Sequence, residues 1–360
     1  MGNTFGHIYR FAFFGESHGA ALGGVIDGFP AGVKIDFDDL QRRIDRRRPG
    51  RTRLDTQRRE ADEVEILSGI FEGMSTGAPI GFIIRNNDSR PADYDALREV
   101  FRPSHADYTY HAKYGVRDHR GGGRASARVT ASWMVAGALA QQLLEQMGVT
   151  IRAFTSSVGD ITMEWPDRVP ELDEVDRSAV RCPDAEVSER MVSLIESVRA
   201  EGDTVGGAVS CIISGVPVGL GEPVADKLSA MLASAMMSIN AAKGFEIGMG
   251  FNGCCRRGSE MNDRFVADAS GNIGVATNHS GGIQGGISNG APITFRVGFK
   301  PVATLMREMS TVDVNGRNIT ISPRGRHDAC VVARAVPIVE AMAAAVILDA
   351  WLMSGKGLNI

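Results

Sequence analysis

The chain has 360 residues, 43% hydrophobic and 23% charged, which suits a folded protein with a large core. Its formal net charge of −4 excludes polyanion binding over the whole surface, so any cationic function has to be local. Cys182, Cys211, Cys254, Cys255 and Cys330 form no CxxC pair, which argues against a disulfide framework and for a reducing, cytoplasmic setting.

The first residues lack a signal-peptide layout, because Arg10 precedes only a short apolar patch and then Glu16. Gly15-Glu16-Ser17-His18-Gly19 follows, where flanking glycines leave an imidazole few bulky neighbours. The run from Gly23 to Gly32 predicts a strand and a Gly28-Phe29-Pro30-Ala31-Gly32 turn. A helix follows, with Asp36, Asp38 and Asp39 at its N-terminal end, Leu40 and Ile44 on its apolar face, and Pro49-Gly50 as its stop. Between Gln41 and Glu60 lie nine arginines, at 42, 43, 46, 47, 48, 51, 53, 58 and 59. Their mutual repulsion predicts a segment that orders when anions arrive.

Residues 62–86 read as two strands, followed by a polar loop that runs through Arg102-Pro103-Ser104-His105-Ala106-Asp107. Asp107 orients His105 only if that loop folds back. Gly121-Gly122-Gly123-Arg124-Ala125-Ser126-Ala127-Arg128 then leads into an apolar helix, predicted over 126–147 with Val129, Trp133, Ala136, Ala140, Leu143 and Met147 on its buried face. Backbone N–H groups at such a helix start, with Arg124 and Arg128 as a charged fork, predict an anion cradle. A strand restarts at 150–156.

Residues 160–190 carry ten acidic and four basic side chains with Pro166, Pro170 and Pro183, and read as a peripheral insertion. A helix at 188–200 and a strand at 208–214 lead to Gly215-Val216-Pro217-Val218-Gly219 and another helix at 224–237. This repeats the earlier strand, Gly-x-Pro-x-Gly turn and helix. Gly123-Arg124 before the first long helix likewise has a counterpart in Gly325-Arg326 before a second, at 335–353. One domain over 1–360 with two pseudo-equivalent halves, about 1–155 and 205–355, is therefore expected. Glu340 and Asp349 interrupt the second long run, so it reads as a core helix and no membrane span is expected.

Asn240-Ala241-Ala242-Lys243-Gly244 and the glycine-rich stretch 278–286 match neither GxGxxG nor GxxxxGK[ST], and no metal-ligand motif occurs. Asp328 reads first as a salt-bridge partner of Arg324 or Arg326.

Together these motifs resemble chorismate synthase. The resemblance runs from Asn3 to about Met353 and includes Asp45-Arg46-Arg47-Arg48-Pro49-Gly50, Ser238-Ile239-Asn240-Ala241, Lys300-Pro301 and Gly325-Arg326-His327-Asp328, beside the His18, His105 and glycine-triplet motifs. It departs from the family where Ser104 replaces the usual glycine, Ala125 a serine, and Val129 a glutamate or similar residue. The resemblance implies an α+β fold, a β-α-β sandwich with central helices between two antiparallel sheets, and a homotetramer. It implies loss of phosphate from 5-enolpyruvylshikimate 3-phosphate to give chorismate, with reduced FMN required and no net redox change. It assigns catalysis to His18, His105 and Asp328, and FMN contacts to Arg124, Ala125, Ser126, Asn240, Ala241, Gly285, Lys300, Pro301, Val302, Ala303, Thr304 and Arg326. Arg47 and Arg53 fall to an anion rim for substrate or for NADPH as a source of reductant; an external flavin reductant is the other source.

Two rival classes make different predictions. A nucleic-acid arm at 42–59 lacks interleaved aromatic residues for base stacking, and the net charge opposes it. A plain FMN-dependent reductase would oxidise its flavin once per turnover, whereas the synthase would not.

Overall fold

Strand periodicity builds two antiparallel sheets. Arg10–Phe14 buries Phe11 and Phe13 and exposes the residues between, and Ile80–Arg85 and Ile293–Phe299 alternate in the same way. The computed structural model describes residues 2–54, 61–87, 94–95, 97–323 and 328–358. In the first sheet the spatial order is Thr4–Phe5, Arg10–Phe14, Ala21–Asp27, Ile80–Arg85 and Val64–Ile66. The second runs Ile161–Thr162, Thr150–Val158, Gly207–Ser214, Ile293–Phe299 and Ala242–Ile247.

The two sheets share one winding. Each sends the strand after its helix to the far edge and inserts the next strand of the sheet inside it. Each also turns at a Gly-x-Pro-x-Gly segment whose glycines are left-handed, at φ +78° and +80° for Gly28 and Gly32 and +82° and +102° for Gly215 and Gly219. A Cβ at Gly28 would lie 1.9 Å from the Ile8 carbonyl oxygen, so the turn admits no side chain there. One boundary moves: Thr150–Val158, which the sequence reading left in the first half, pairs with Gly207–Ser214 in the second sheet.

Between the sheets lie the two long helices, Thr130–Gln146 and Val332–Met353. The first is buried continuously from Thr130 to Leu144 and has no exposed stripe. An amphipathic reading was too narrow here, because a sheet covers one side and the second helix another. The two backbones meet where a Cβ on Gly137 would sit 2.2 Å from that of Ala341. Val332–Met353 is long and apolar enough to cross a bilayer, yet 83% of its most apolar window is buried inside the protein.

The two carboxylates buried inside that helix are both engaged. Glu340 pairs with Arg46 and accepts from the Ala153 N–H at 2.9 Å. Asp349 accepts three N–H groups, from His7 and Ile8 at 2.8 Å and Tyr9 at 2.9 Å, and so fastens the start of the first sheet. Pro337, within the helix, has no N–H to donate to Ala333 one turn earlier. Arg181 donates to that carbonyl instead, and with its other nitrogen to the Arg46 carbonyl. Arg181 comes from the acidic stretch, whose Val180 and Cys182 share a small hydrophobic cluster with Leu54, Val158, Met191, Ile195 and Ala329.

Candidate active site

The N-terminal ends of both long helices meet the segment that follows the helix Phe37–Asp45. Arg47 reaches Thr130 at one, while Arg181 ties Ala333 of the other to Arg46. The sequence motifs gather around this place, and among the described residues four of the five non-glycine residues with left-handed backbone lie in or beside it: Asp62, Ser104, Arg181 and Ala241.

His18 sits on the turn between the second and third strands of the first sheet, only 8% exposed. Its ring lies 5.0 Å from the Tyr94 ring, centroid to centroid. Gly121 packs against its other edge, where a Cβ would come within 2.8 Å of His18 Cδ2. The first glycine of the triplet is thus required by the histidine.

His105 comes from a loop that does fold back. Ser104 takes φ +57°, and His105 Nδ1 lies 2.9 Å from Asp107 Oδ1, close enough for an ion pair but misaligned for a hydrogen bond. Asp107 also accepts from Arg102, at 3.1 Å from its backbone N–H, 2.7 Å from Nε and 2.9 Å from Nη2, and pairs with Arg117 at 2.7 Å. Burial alone would raise the Asp107 pKa, but the hydrogen bonds from Arg102 and the adjacent His105 hold it well below the usual carboxylate range. A left-handed serine costs roughly 1–2 kcal/mol, of which glycine's greater unfolded-state freedom takes back about 0.5–1. Ser104→Gly is therefore expected to stabilise the protein by about 0.5–1 kcal/mol, read from the urea midpoint. An unchanged or lower midpoint would show that the Ser104 backbone carries no such strain.

The glycine triplet does not lead directly into the long helix. Two 3₁₀ turns, Gly123–Ala125 and Ala127–Val129, precede the long helix and use up local donors: Ala125 N–H to Gly122, Ser126 N–H to Gly123 and Val129 N–H to Ser126. Ser126 caps the Arg128 N–H at 3.2 Å. Nor do Arg124 and Arg128 form a fork. Arg124 donates to the carbonyls of Phe13 and Gly15 and to Asn3, whereas Arg128 turns inward to Asp62 and Asn86.

Asn240 donates from Nδ2 to the Ala125 carbonyl at 2.8 Å, while its Oδ1 is buried with no partner. Ala241 accepts from the Lys300 N–H at 2.9 Å, and Lys300 Nζ donates to the Ser104 carbonyl at 2.8 Å. Three distant motifs are thus joined. Burial, and then the nearby Lys243, push the Lys300 pKa down, and among the described residues no carboxylate pairs with either ammonium group. Pro301, Val302, Ala303 and Thr304 continue from Lys300, with Val302 accepting from Thr204 at 2.8 Å and Thr304 buried.

The arginines of 42–54 are already paired. Arg42 and Arg43 hold Asp39, Arg46 holds Asp176 and Glu340, and Arg48 holds Asp45. Repulsion that waits for anions is therefore not the state of residues 42–54, while Arg58 and Arg59 lie outside the described residues. Arg47 is interior, 2% exposed, bonded to Thr130 at 3.1 Å and the Ala127 carbonyl at 2.8 Å and paired with Asp62 at 3.3 Å. Burial pushes its pKa down to about 9, against the attraction of Asp62, and it stays protonated at neutral pH. It is a structural cation beneath the site and not part of an open rim. Arg53 is exposed and pairs with Glu196 at 2.9 Å.

Asp328, 9% exposed, pairs with Arg334 on the first turn of the second long helix. Its expected partners Arg324 and Arg326 lie outside the described residues, as does the role given to Arg326. Gly285 has open space where a Cβ would lie and sits at the turn of the hairpin Ile283–Gln284 and Ile287–Ser288. Its hairpin packs on Leu228, at the start of the helix Leu228–Met237, whereas Asn240 follows that helix's other end, about 15 Å away along ten residues.

Asp62 is the residue that sequence reasoning missed. Read as the start of a strand, it is instead a buried left-handed residue, 1% exposed, between Arg47 and Arg128. The available signal was an arginine-rich segment in need of buried counter-ions.

His105, Asp107, Arg117 and Gly122 to Ala125 share the wall of a cavity of about 210 Å³. Two histidines from separate loops therefore flank one glycine loop beside a pair of unneutralised lysines. A family model described as Chorismate synthase matches residues 9–352. The chain belongs to the chorismate synthase family. Chorismate synthase of Bacteroides thetaiotaomicron is 58% identical over 353 residues, 98% of each chain, and that of Azobacteroides pseudotrichonymphae is 56% identical, covering 97% of this chain and 99% of the relative. A solved structure titled Crystal Structure of Chorismate Synthase superposes with a TM-score of 0.76 at 29% identity, over 98% of this chain and 94% of that one. The chain is accordingly a chorismate-forming carbon–oxygen lyase with a flavin requirement.

The residues present fit a flavin phosphate and ring. Among the described residues Lys300 and Lys243 have no carboxylate partner, which suits a phosphate, and the buried Asn240 Oδ1 has no donor, which suits a ring N–H.

Proposed function

We propose that this chain converts 5-enolpyruvylshikimate 3-phosphate to chorismate by anti-1,4-elimination, breaking the C–O bond to phosphate and one ring C–H bond with no net redox change. The observation that carries this reading is the convergence of His18 and His105 on the two sides of the Gly121-to-Ala125 loop. Reduced FMN, when bound, supplies electron density as phosphate leaves. Asn240, Ala241 and the run from Lys300 to Thr304 hold it with Arg124, Ala125 and Ser126. His18 donates a proton to the departing phosphate, a natural task for an imidazole near neutral pH. His105 would hold a proton at the N1 edge of the flavin, and Asp328 would manage the proton at N5.

The arginines behind these groups keep the site cationic and dry, so that a phosphate and two carboxylates are bound without their water. Arg53, exposed at the surface, is the better placed of the two rim arginines to meet substrate or NADPH. Exposed Phe265 and Ile273, and an open cavity of about 710 Å³ lined by Phe245, Met249, Phe251 and Met261, support association with further copies of the chain, and the family resemblance makes that assembly a homotetramer. Five free cysteines support a cytoplasmic location.

Anaerobic incubation with the enolpyruvyl substrate and dithionite-reduced FMN tests the reaction. Phosphate and chorismate are expected to appear in equal amounts, many per flavin, while the flavin stays reduced. Stoichiometric flavin oxidation would establish a reductase instead. Asp328→Asn keeps the side chain's shape and removes its basicity, so turnover is expected to fall at least tenfold with FMN affinity nearly unchanged. A joint loss of melting temperature and FMN binding, with normal turnover at saturation, would make Asp328 merely the partner of Arg334.

A further inference from the structure

We infer that Arg102 and Asp107 form a single positioning unit that fixes both histidines at once. The inference rests on the proposed roles of His18 and His105 and extends them. Asp107 faces His105 Nδ1 at 2.9 Å and takes Arg102 in a two-pronged pair, at 2.7 Å from Nε and 2.9 Å from Nη2. The same Arg102 Nη2 donates to the Gly121 carbonyl at 2.7 Å. Gly121, at φ +72°, is the residue whose missing Cβ makes room for His18, with Cδ2 2.8 Å and Nε2 3.0 Å from the place it would occupy. An unbroken path of contacts therefore runs from His105 through Asp107, Arg102 and Gly121 to His18.

Burial makes the path stiff. Arg102 is 4% exposed and Asp107 5%, so water does not compete for their hydrogen bonds. A lysine at 102 would keep the charge but not the geometry, since a single ammonium cannot reproduce the Nε and Nη2 fork that holds both Asp107 oxygens and the Gly121 carbonyl at once. Arg117, paired with Asp107 at 2.7 Å and donating to the carbonyls of Leu97, Arg98 and Val100, braces the unit from outside. Neither Arg102 nor Asp107 needs to touch substrate. Their task is to set the separation of two groups that do.

Spectra of the full-length protein labelled with ¹³C at histidine Cε1 test the link directly. In Arg102→Lys the charge remains and the bridge to Gly121 is lost, so the resonances of both His18 and His105 are expected to move. Turnover should fall roughly 10–100-fold with the substrate KM within about threefold, since orientation is lost and binding is not. A shift of one histidine alone, or normal turnover, would overturn the inference. Should Arg102→Lys not fold, Gly121→Ala approaches from the other end: its methyl displaces His18, and the unit should carry the disturbance to His105. A change confined to His18 would again overturn it. His18→Ala and His105→Ala separate the two levels, because normal turnover in them removes the catalytic roles while leaving the resonance coupling in place.

Discussion

His18→Ala and His105→Ala are each expected to lower turnover by roughly 10²–10⁴-fold at saturating substrate and reduced FMN, the range for a positioned acid or base. The fold should survive both changes. His105 is partly open to the cleft, and His18 packs on Tyr94 and Gly121 at the sheet's end and not in the central core. Circular dichroism melting and anaerobic turnover on the same preparations separate chemistry from stability. A variant that melts normally and turns over within a factor of a few of the parent would remove that histidine from the mechanism.

Asp62→Ala should produce the largest loss of stability. It removes the carboxylate shared by two interior guanidinium groups, Arg47 at 2% and Arg128 at 4% exposure. Removing one member of such a buried cluster costs about 3–5 kcal/mol, and denaturant unfolding would read it. Arg128→Met added to Asp62→Ala should recover part of the loss, because one of the two buried charges then disappears. Its pH dependence has a definite sign. Burial alone would raise the Asp62 pKa, but Arg47 and Arg128 lower it from its ordinary 3.8, so its contribution is full above that value. The gap between parent and variant should shrink as pH falls below about 4 toward the folded-state pKa. A gap that stayed constant into acid would mean that the carboxylate does not hold these arginines.

Much of the fold is legible because local patterns and global layers agree. Alternation in 10–14 and 80–85, the Gly-x-Pro-x-Gly turns and the unbroken apolar runs of the two long helices each point to the observed element. The site is legible where a motif is local, as with His18 beside glycines or Ser104 at a left-handed turn. It is illegible where partners come from afar. Neither Asp62 under Arg128 nor Lys300 on the Ser104 carbonyl, 196 residues away, leaves any mark in its own neighbourhood. The start of the first long helix is misplaced for a related reason: the spacing fits a helix from Ser126, but two 3₁₀ turns intervene and the helix begins at Thr130.

The proline inside the second long helix has a consequence for how this chain tolerates change in length. Arg181 holds the carbonyl that Pro337 leaves vacant, and the same guanidinium grips the Arg46 carbonyl, so the acidic stretch is anchored at one end to the turn that carries Arg334. A peptide inserted at 166–168, where Asp167 and Arg168 are exposed, would merely lengthen a surface loop, and loop length is thermodynamically cheap. The same insertion at 178–180 would shift Arg181 off both carbonyls and unpin the start of the helix. Surface position and freedom to vary are therefore different things in this segment, and an affinity tag or reporter placed there would be tolerated on one side of the helix Leu172–Arg177 and not on the other.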